Sequence, residues 1–254
     1  MKKIIAIFVL VAAFSVVSAA FGGTNYDCPF PISIRLDGDL SDWAGTGAEF
    51  ILVPHDKGTT PAPDDASGSF RFAAAADDDW LYVAIDIKDD VIKYGETDDW
   101  QDDSVEIYID ANHARTEAYE NDDVQITIGA RNIDLKNIEN PALTGSAGVA
   151  DTKTQAAVVR VSGGWIVEAG IPLKNSKWSI IPEVGKVIGF NVHFNDDDNG
   201  EGRDYKLIWS DLDTDDASWN NTTRFADLTF VAANITAIRP LGKLAFTWGE
   251  IKAR

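Results

Sequence analysis

The sequence predicts an all-β protein, a single antiparallel β-sandwich of the jelly-roll or immunoglobulin-like kind that follows an N-terminal signal peptide. Three observations predict this fold class. Short segments alternate apolar and polar residues with a period of two, turn-forming residues separate them, and none has the 3.6-residue periodicity of an amphipathic helix. The chain has 254 residues and no long linker, which favours one large domain over two small ones.

The signal peptide is predicted at residues 1–19. Lys2 and Lys3 precede an apolar run over residues 4–17, and small residues up to Ala19 form a cleavage site. The run is too short for a membrane span, and no second candidate follows it. We therefore expect a protein that is secreted, periplasmic or at the cell surface.

The predicted strands follow one another through a domain at residues 20–231. In residues 104–110, Val105, Ile107 and Ile109 share one face, while polar side chains and Tyr108 share the other. Gly163 and Gly164 link two strands, because glycine reaches the positive φ angles of a tight hairpin. The predicted strands are 80–87, 104–110, 123–129, 156–162, 165–171, 187–195, 205–209 and 226–231.

The charge of the chain excludes two classes of partner. Its formal net charge is −19, so it repels nucleic acid and anionic membrane surfaces. Cys28 is the only cysteine, which excludes an internal disulfide. Stability must therefore come from an ordinary core, with help from bound ions.

Seven motifs in a fixed order carry a resemblance to a known family. They read DGDLSDW, DDDWLYVAIDIKDD, WQDDSVEIYID, GGWIVEAGIPL, IGFNVHFNDDDN, LIWSD and SWNNTTRFADL, and the resemblance covers residues 32–231. In this succession the chain resembles the family 9 carbohydrate-binding modules. The resemblance implies a non-catalytic β-sandwich that binds a polysaccharide or oligosaccharide, often at the reducing end of a glucan or xylan chain, with calcium bound structurally.

The resemblance also implies which residues bind sugar. Trp100 and Trp219 fall on the two tryptophans that sandwich the ring, Glu106 on the family's carboxylate, and Arg203 on its arginine. The chemistry of a pyranose agrees, because its apolar C–H face suits an aromatic plane and its hydroxyl rim suits carboxylate and guanidinium groups. The alternative is that both tryptophans simply pack under loops.

Two sugar-contacting positions depart from the family pattern. Thr127 stands where the family carries arginine, and His193 stands where it carries glutamine. Alternation places His193 on the same face as Asn191 and Asn195, opposite the core. Because an imidazole changes charge between about pH 5 and pH 8, a direct contact from His193 predicts pH-dependent affinity.

The remaining tryptophans have a structural interpretation. Trp80, Trp165 and Trp209 lie in or at the start of predicted strands and are expected in the core or on a sheet surface. Trp43 is expected to anchor the N-terminal strand.

Clustered aspartates raise the question of a metal site. The stretch from Asp196 to Gly200 is rich in oxygen ligands, which suits calcium, but it lacks the spacing of an EF-hand loop. The residues alone favour a solvated loop. The family resemblance favours structural calcium instead, with Asp89, Asp103, Asp196 and Asp198 as ligands.

Other function classes stay open at this stage. A glycosidase needs a carboxylic acid of raised pKa in a desolvating pocket, whereas these acids lie in clusters that look solvated, so no enzyme activity is expected. A haem-binding electron-transfer sandwich needs axial ligands, and Met1 is the sole methionine. A structural or adhesive envelope domain without sugar affinity is the third alternative.

Residues 232–254 form a basic C-terminal tail. It contains one acidic residue, Glu250, and four cationic residues, which are Arg239, Lys243, Lys252 and Arg254. The tail either folds back as an added strand or serves as a docking segment for cell-surface assembly.

Overall fold

The computed structural model describes residues 24–95 and 98–234. The predicted signal peptide and nearly all of the basic tail lie outside these residues. Thirteen strands form the framework of the described structure, and the predicted β-sandwich is confirmed. Their bounds are β1 Asn25–Phe30, β2 Ile51–Val53, β3 Gly58–Thr60, β4 Ser69–Ala76, β5 Trp80–Lys88, β6 Ser104–Asp110, β7 Asp123–Gly129, β8 Leu143–Gly145, β9 Gln155–Val161, β10 Gly164–Pro172, β11 Val187–Asp196, β12 Tyr205–Ile208 and β13 Ala226–Ala232.

Helical structure is confined to single turns within the described part of the chain. The α-helix α1 covers Asn132–Leu135, and 3₁₀ turns occur at Leu40–Trp43, Asp99–Gln101, Val149–Thr152 and Thr222–Arg224. None of the described helices has the length and apolarity needed to cross a membrane.

Two sheets face each other across the core. The larger has eight strands in the order β1-β13-β11-β6-β7-β8, with β12 paired to β11 and β3 to β12. The smaller has the order β2-β4-β5-β10-β9. One pair departs from the wholly antiparallel prediction, because β1 lies parallel to β13. No tight hairpin connects these two strands, so nothing in the local chain imposes an antiparallel pairing.

Aromatic side chains from both sheets fill the space between them. Trp209 packs edge-on against Phe72 with ring centroids 5.0 Å apart, and Trp165 packs against Phe194 at 6.3 Å. Trp165 and Trp209 are fully buried, as the sequence predicted. The alternation of β6, β7 and β11 supplies the facing aliphatic layer.

Trp43 anchors the N-terminal segment against the outer face of the smaller sheet. Its indole Nε1 donates a hydrogen bond to Glu168 Oε1 at 2.8 Å, and the ring lies in a small apolar cluster with Ile32, Ile34 and Tyr82. Trp80 is partly buried at the edge of the same cluster. Trp43 was predicted to anchor the N-terminal strand; it instead packs against the segment that follows β1.

The polar face of the larger sheet positions the candidate site. Residues on β11, β6 and β7 that are opposite one another form three rows across the sheet. The rows are Asn191, Tyr108 and Gln125; His193, Glu106 and Thr127; and Asn195, Ser104 and Gly129.

Candidate functional site

A cavity of about 380 Å³ opens on the polar face of the larger sheet. Its lining combines two indoles with a set of charged and amide groups. The lining residues are Trp100, Glu106, Tyr108, Gln125, Arg203, Lys206, Asp216 and Trp219. Four predicted site residues, Trp100, Glu106, Arg203 and Trp219, are therefore brought together in one place.

Two tryptophans supply the aromatic surface of the cavity. Trp100 is 46% exposed and Trp219 is 56% exposed, although tryptophan is usually well buried. Trp100 sits in the 3₁₀ turn at Asp99–Gln101, which the Asp99 carboxylate ties to Arg131 and Thr144 through hydrogen bonds of 2.9 Å each. The alternative that these indoles are packed under loops is therefore wrong.

Glu106 and Lys206 form a buried ion pair in the floor of the cavity. Lys206 Nζ donates to Glu106 Oε2 and, at 2.8 Å, to Asn195 Oδ1. Glu106 Oε1 accepts from Gln125 Nε2 at 3.1 Å and from Asn195 Nδ2 at 3.0 Å. Burial alone would raise the pKa of Glu106, but Lys206 and His193 outweigh it and hold the pKa well below its ordinary value. The floor is thus a carboxylate held ionised in a fixed geometry.

Arg203 links the two sides of the cavity. Its guanidinium lies 5.5 Å from the ring centroid of Trp100, within cation–π range. Its two amino groups donate to Asn195 Oδ1 and Asp216 Oδ2, each at 3.0 Å. Asp216 belongs to the loop that leads to Trp219. Arg203 therefore connects the Trp100 side of the cavity, through a cation–π contact, with the loop of Trp219, through a hydrogen bond.

Two predicted site residues do not line the cavity. His193 and Thr127 are not among the residues that line it, so the expectation that they face a ligand directly is corrected; both are buried. The loop that carries Asp213 and Asp216 covers His193. Thr127 is a short side chain between Glu106 on β6 and Thr144 on β8.

Four lining residues were missed from the sequence. Tyr108 and Gln125 lie on the polar faces of predicted strands, and Lys206 lies within another predicted strand, so alternation offered a partial signal for them. Asp216 lies in a loop whose sequence has no pattern that points to the cavity.

A second cluster, of aspartates, lies where β5 and β11 end. Carboxylate oxygens of Asp89, Asp196 and Asp198 lie within 4.8 Å of one another. Both oxygens of Asp196, and Oδ1 of Asp198, are buried and have no hydrogen-bond partner among the described residues. Asp197 Oδ2, beside them, is also buried and has no hydrogen-bond partner among the described residues. Buried and unpaired carboxylate oxygens are costly, and a hard cation would compensate for that cost.

Asp103 lies next to this cluster but is held by backbone groups. Its Oδ1 accepts from Asp197 N at 2.7 Å, and its Oδ2 accepts from Lys93 N at 2.5 Å. Burial, followed by the charge of Asp89, raises the pKa of Asp103 to about 10. Burial likewise raises the pKa of Asp89 to about 6 and that of Asp196 to about 9. In this geometry Asp103 orients the loop of Asp197 rather than completing the three-residue group.

The sandwich and its aromatic-walled polar cavity together define a ligand-binding domain for a small molecule with both apolar faces and hydrogen-bonding edges. The chain belongs to the carbohydrate family 9 binding domain-like family, whose model matches residues 36–233. The resemblance seen in the sequence motifs is confirmed.

Similar proteins extend this result. The endo-1,4-beta-xylanase A of Thermotoga maritima is 30% identical over 197 residues, which is 77% of this chain and 17% of the xylanase. The chain thus spans less than a fifth of that relative's length. A family 9 carbohydrate-binding module from Caldicellulosiruptor kristjanssonii, solved in complex with cellotriose, superposes with a TM-score of 0.65 and 22% identity over 87% of this chain and 100% of that chain. The same module solved with glucose gives the same TM-score over 85% of this chain. At this identity, the likeness is one of fold.

Proposed function

We propose that this domain binds a saccharide without catalysing a reaction, and that the sugar ring stacks against Trp100 and Trp219. The observation that carries the proposal is a cavity in which two half-exposed indoles meet a preformed set of charged and amide groups. Membership of the family and the cellotriose complex of the similar module support it.

The cavity offers what a pyranose requires. Its C–H faces can pack against the two indoles, and its hydroxyls can donate to Glu106 and Asp216 or accept from Arg203 and Gln125. These polar groups already hydrogen-bond one another, so little side-chain freedom is lost on binding.

The size of the cavity favours the end of a sugar chain. Small-molecule sites range over about 300–1,000 Å³. This cavity, at about 380 Å³, is at the small end and suits one or two sugar units rather than a long internal stretch. We infer that the ligand is the terminal unit of a glucan or xylan chain, and that the reducing end is the unit bound.

The state of Glu106 supports a non-catalytic role. A general acid of a glycosidase needs a raised pKa so that it carries a proton at neutral pH. The pKa of Glu106 shifts the other way, because Lys206 and His193 outweigh the effect of burial. Glu106 is suited to accept hydrogen bonds from sugar hydroxyls, not to donate a proton.

We also propose that calcium binds at Asp89, Asp196 and Asp198 as a structural brace. The carboxylate oxygens that lack hydrogen-bond partners there form an all-oxygen ligand set, which hard cations prefer. Asp89 directly follows β5 of the smaller sheet, and Asp196 ends β11 of the larger one. An ion held between them would tie the two sheets together at one end of the sandwich. Export to the cell exterior remains a prediction, because it rests on residues 1–19.

Replacement of each tryptophan tests the sugar-binding proposal. Trp100→Ala and Trp219→Ala should each weaken cellotriose binding by about 1 to 3 kcal/mol, or roughly 5- to 150-fold in Kd, because one stacking surface is lost. Isothermal titration calorimetry measures the change. Trp80→Phe, on the outer face of the other sheet, is the control and should bind like the parent.

Two outcomes would contradict the proposal. Unchanged affinity in both alanine variants would remove the stacking model, and a parent protein that binds no glucan or xylan fragment would favour a structural or adhesive role.

Reduction of cellotriose with borohydride opens the terminal ring. The reduced sugar should bind much more weakly if the reducing end is the unit recognised.

A further inference from the structure

His193 lies behind the cavity, in contact with groups from three parts of the chain. Its Nε2 is 2.8 Å from Asn191 Nδ2 and 3.3 Å from Asp213 Oδ2. Its Nδ1 is 3.4 Å from Glu106 Oε2 and has no hydrogen-bond partner among the described residues. The imidazole thus stands between the floor of the cavity and the loop that leads to Trp219.

The surrounding hydrogen bonds fix the tautomer of the neutral ring. Asn191 Oδ1 accepts from Val192 N at 2.9 Å and from Ser210 N at 3.0 Å. The amide NH₂ of Asn191 must therefore point toward His193, so Nε2 of the neutral ring accepts and Nδ1 carries the hydrogen. A second proton can only be added at Nε2.

That proton would change the partner of the ring. Two N–H groups cannot face each other at 2.8 Å, so a charged His193 loses the hydrogen bond from Asn191. It gains a donor aimed at Asp213 Oδ2, 3.3 Å away. Burial would raise the pKa of Asp213, but contacts with His193, with Ser218 and with the backbone of Ala217 hold the pKa well below its ordinary value, so Asp213 is ionised and can accept a hydrogen bond from the charged ring.

Both partners of the ring also hold Ser218, the residue before Trp219. Asn191 Nδ2 donates to Ser218 Oγ at 3.0 Å, and Ser218 N donates to Asp213 Oδ2 at 3.2 Å. Asp213 Oδ1 further accepts from Ala217 N at 2.9 Å. A change of partner at His193 therefore acts on the two groups that set the backbone position of Ser218, and so on Trp219.

We propose that His193 is a positioning residue that couples proton uptake to the placement of Trp219, so that saccharide affinity falls as the pH falls. The proposal rests on the saccharide-binding function proposed above and names a regulation of that same site. His193 acts through Asn191, Asp213 and Glu106 without touching the sugar.

The charges that face His193 agree with this role. Glu106 and Tyr108 face it from β6, Asp213 and Asp216 from the covering loop, and Lys206 and Arg203 approach through Glu106 and Asp216. Tyr119 lies near Asp213 and keeps its proton, because burial raises its pKa well above the ordinary value. Three acidic groups, Glu106, Asp213 and Asp216, thus face three basic ones, His193, Lys206 and Arg203.

The same residues do not favour a metal ion. His193, Asp213 and Asp216 offer ligand atoms close to one another. However, Lys206 Nζ lies 3.6 Å from Asp216 Oδ1, and Arg203 donates to Asp216 Oδ2 at 3.0 Å. These two cations already balance the negative charge of Asp216, and they would repel a metal ion.

The direction of the pH effect follows from the position of the charge. A proton on His193 places a second cation beside Glu106, which already faces Lys206. A carboxylate shared by two cations accepts a sugar hydroxyl less strongly, and the Trp219 loop is displaced at the same time. Cellotriose affinity should therefore be lower at about pH 5.5 than at pH 8, by about fivefold or more.

Calorimetry with cellotriose across this pH range is the first test. The parent protein and the control His55→Gln should show the loss of affinity on acidification, because His55 pairs with Asp65 away from the cavity. His193→Gln and Asp213→Asn should each flatten the profile. The proposal is overturned if His193→Gln keeps the parent's pH dependence or if the parent's affinity is flat with pH.

A second measurement needs no sugar. The indole N–H resonance of Trp219, assigned with Trp219→Phe, should shift with pH in the parent and stay still in His193→Gln. If the resonance titrates in a protein that binds no saccharide, the positioning inference stands and the proposed function fails. If sugar binds but the resonance does not titrate, the proposed function stands and this inference is overturned. If His193→Gln does not fold, Asp213→Asn replaces it in both measurements.

Discussion

Lys206 is completely buried in the fold, so neighbouring polar and charged groups must compensate for the loss of water around its ammonium. Its ammonium contacts Glu106, Asn195 and Asp216. Removing one partner of a buried ion pair leaves the other charge unpaired, which costs about 3–5 kcal/mol. Lys206 is therefore important to the stability of the cavity floor as well as to its charge.

Lys206→Met should lower the free energy of unfolding by about 3–5 kcal/mol, because Glu106 loses its main counter-charge. Urea denaturation measures this loss. Lys57→Met is the control, since Lys57 forms a more exposed pair with Asp211 and should change stability little. The double variant Glu106→Gln/Lys206→Met should recover much of the loss. A Lys206→Met protein as stable as its parent would refute the role given to the pair.

The tryptophans and His193 show what alternation can and cannot predict. Trp100 and Trp219 could be identified because the resemblance to the family places them on its two sugar-binding tryptophans. Alternation correctly separated His193 from the core layer of Phe190 and Phe194. It could not reveal that the loop containing Asp213 covers that face, because the path of a loop depends on contacts distant in sequence.

The strands that were predicted are those with long and regular alternation. β6 and β7 occur at their predicted bounds, and β11 is one residue longer than predicted. The five missed strands lack this signal: β2, β3 and β8 have three residues each, β4 ends in four alanines, and β1 contains a proline. Such segments become strands because neighbouring strands pair with them, a cause that local sequence does not contain.

The β9–β10 hairpin depends on two glycines that differ in their surroundings. Gly163 has φ +76° and open space where a Cβ would lie, whereas at Gly164, with φ +150°, a Cβ would lie 1.9 Å from the carbonyl oxygen of Ile87. Gly163→Ala should cost about 1 to 2 kcal/mol through backbone strain alone. Gly164→Ala should cost at least about 3 kcal/mol, because β10 must also move away from β5.

Thermal denaturation of the two alanine variants compares these costs directly. The Gly163 variant serves as the matched control for the Gly164 variant, since both change a glycine of positive φ in the same turn. Equal melting temperatures would mean that the contact with β5 adds nothing to the strain.

The proposed calcium ion would act on the sandwich as a unit, because its ligands come from both sheets. Chelation should lower the melting temperature by about 5 to 10 °C when calcium had been present at about a hundred times its Kd. Calcium binding requires ionised carboxylates, and burial raises the pKa of Asp89 to about 6 and that of Asp196 to about 9. Protons therefore compete with the ion at low pH, and the stabilisation should be larger at about pH 8 than at about pH 5.

Scanning calorimetry with calcium or with a chelator, at both pH values, measures this effect. Asp196→Asn should remove most of the response to calcium, whereas Asp151→Asn, on an unrelated surface turn, should leave it intact. Superimposable melting curves with and without chelator at pH 8 would exclude a structural ion.

The parallel pairing of β1 with β13 has a mechanical consequence. Asn25 at the start of β1 is opposite Asp227, and Phe30 at its end is opposite Ala232. The described chain thus enters at one end of this strand pair and leaves at the other. A pulling force applied through the two flanking segments would slide the strands along each other, which loads their evenly spaced hydrogen bonds together instead of opening them in turn. The arrangement resists tension along the chain, a property that would suit the proposed binding if the saccharide belongs to an immobile polymer.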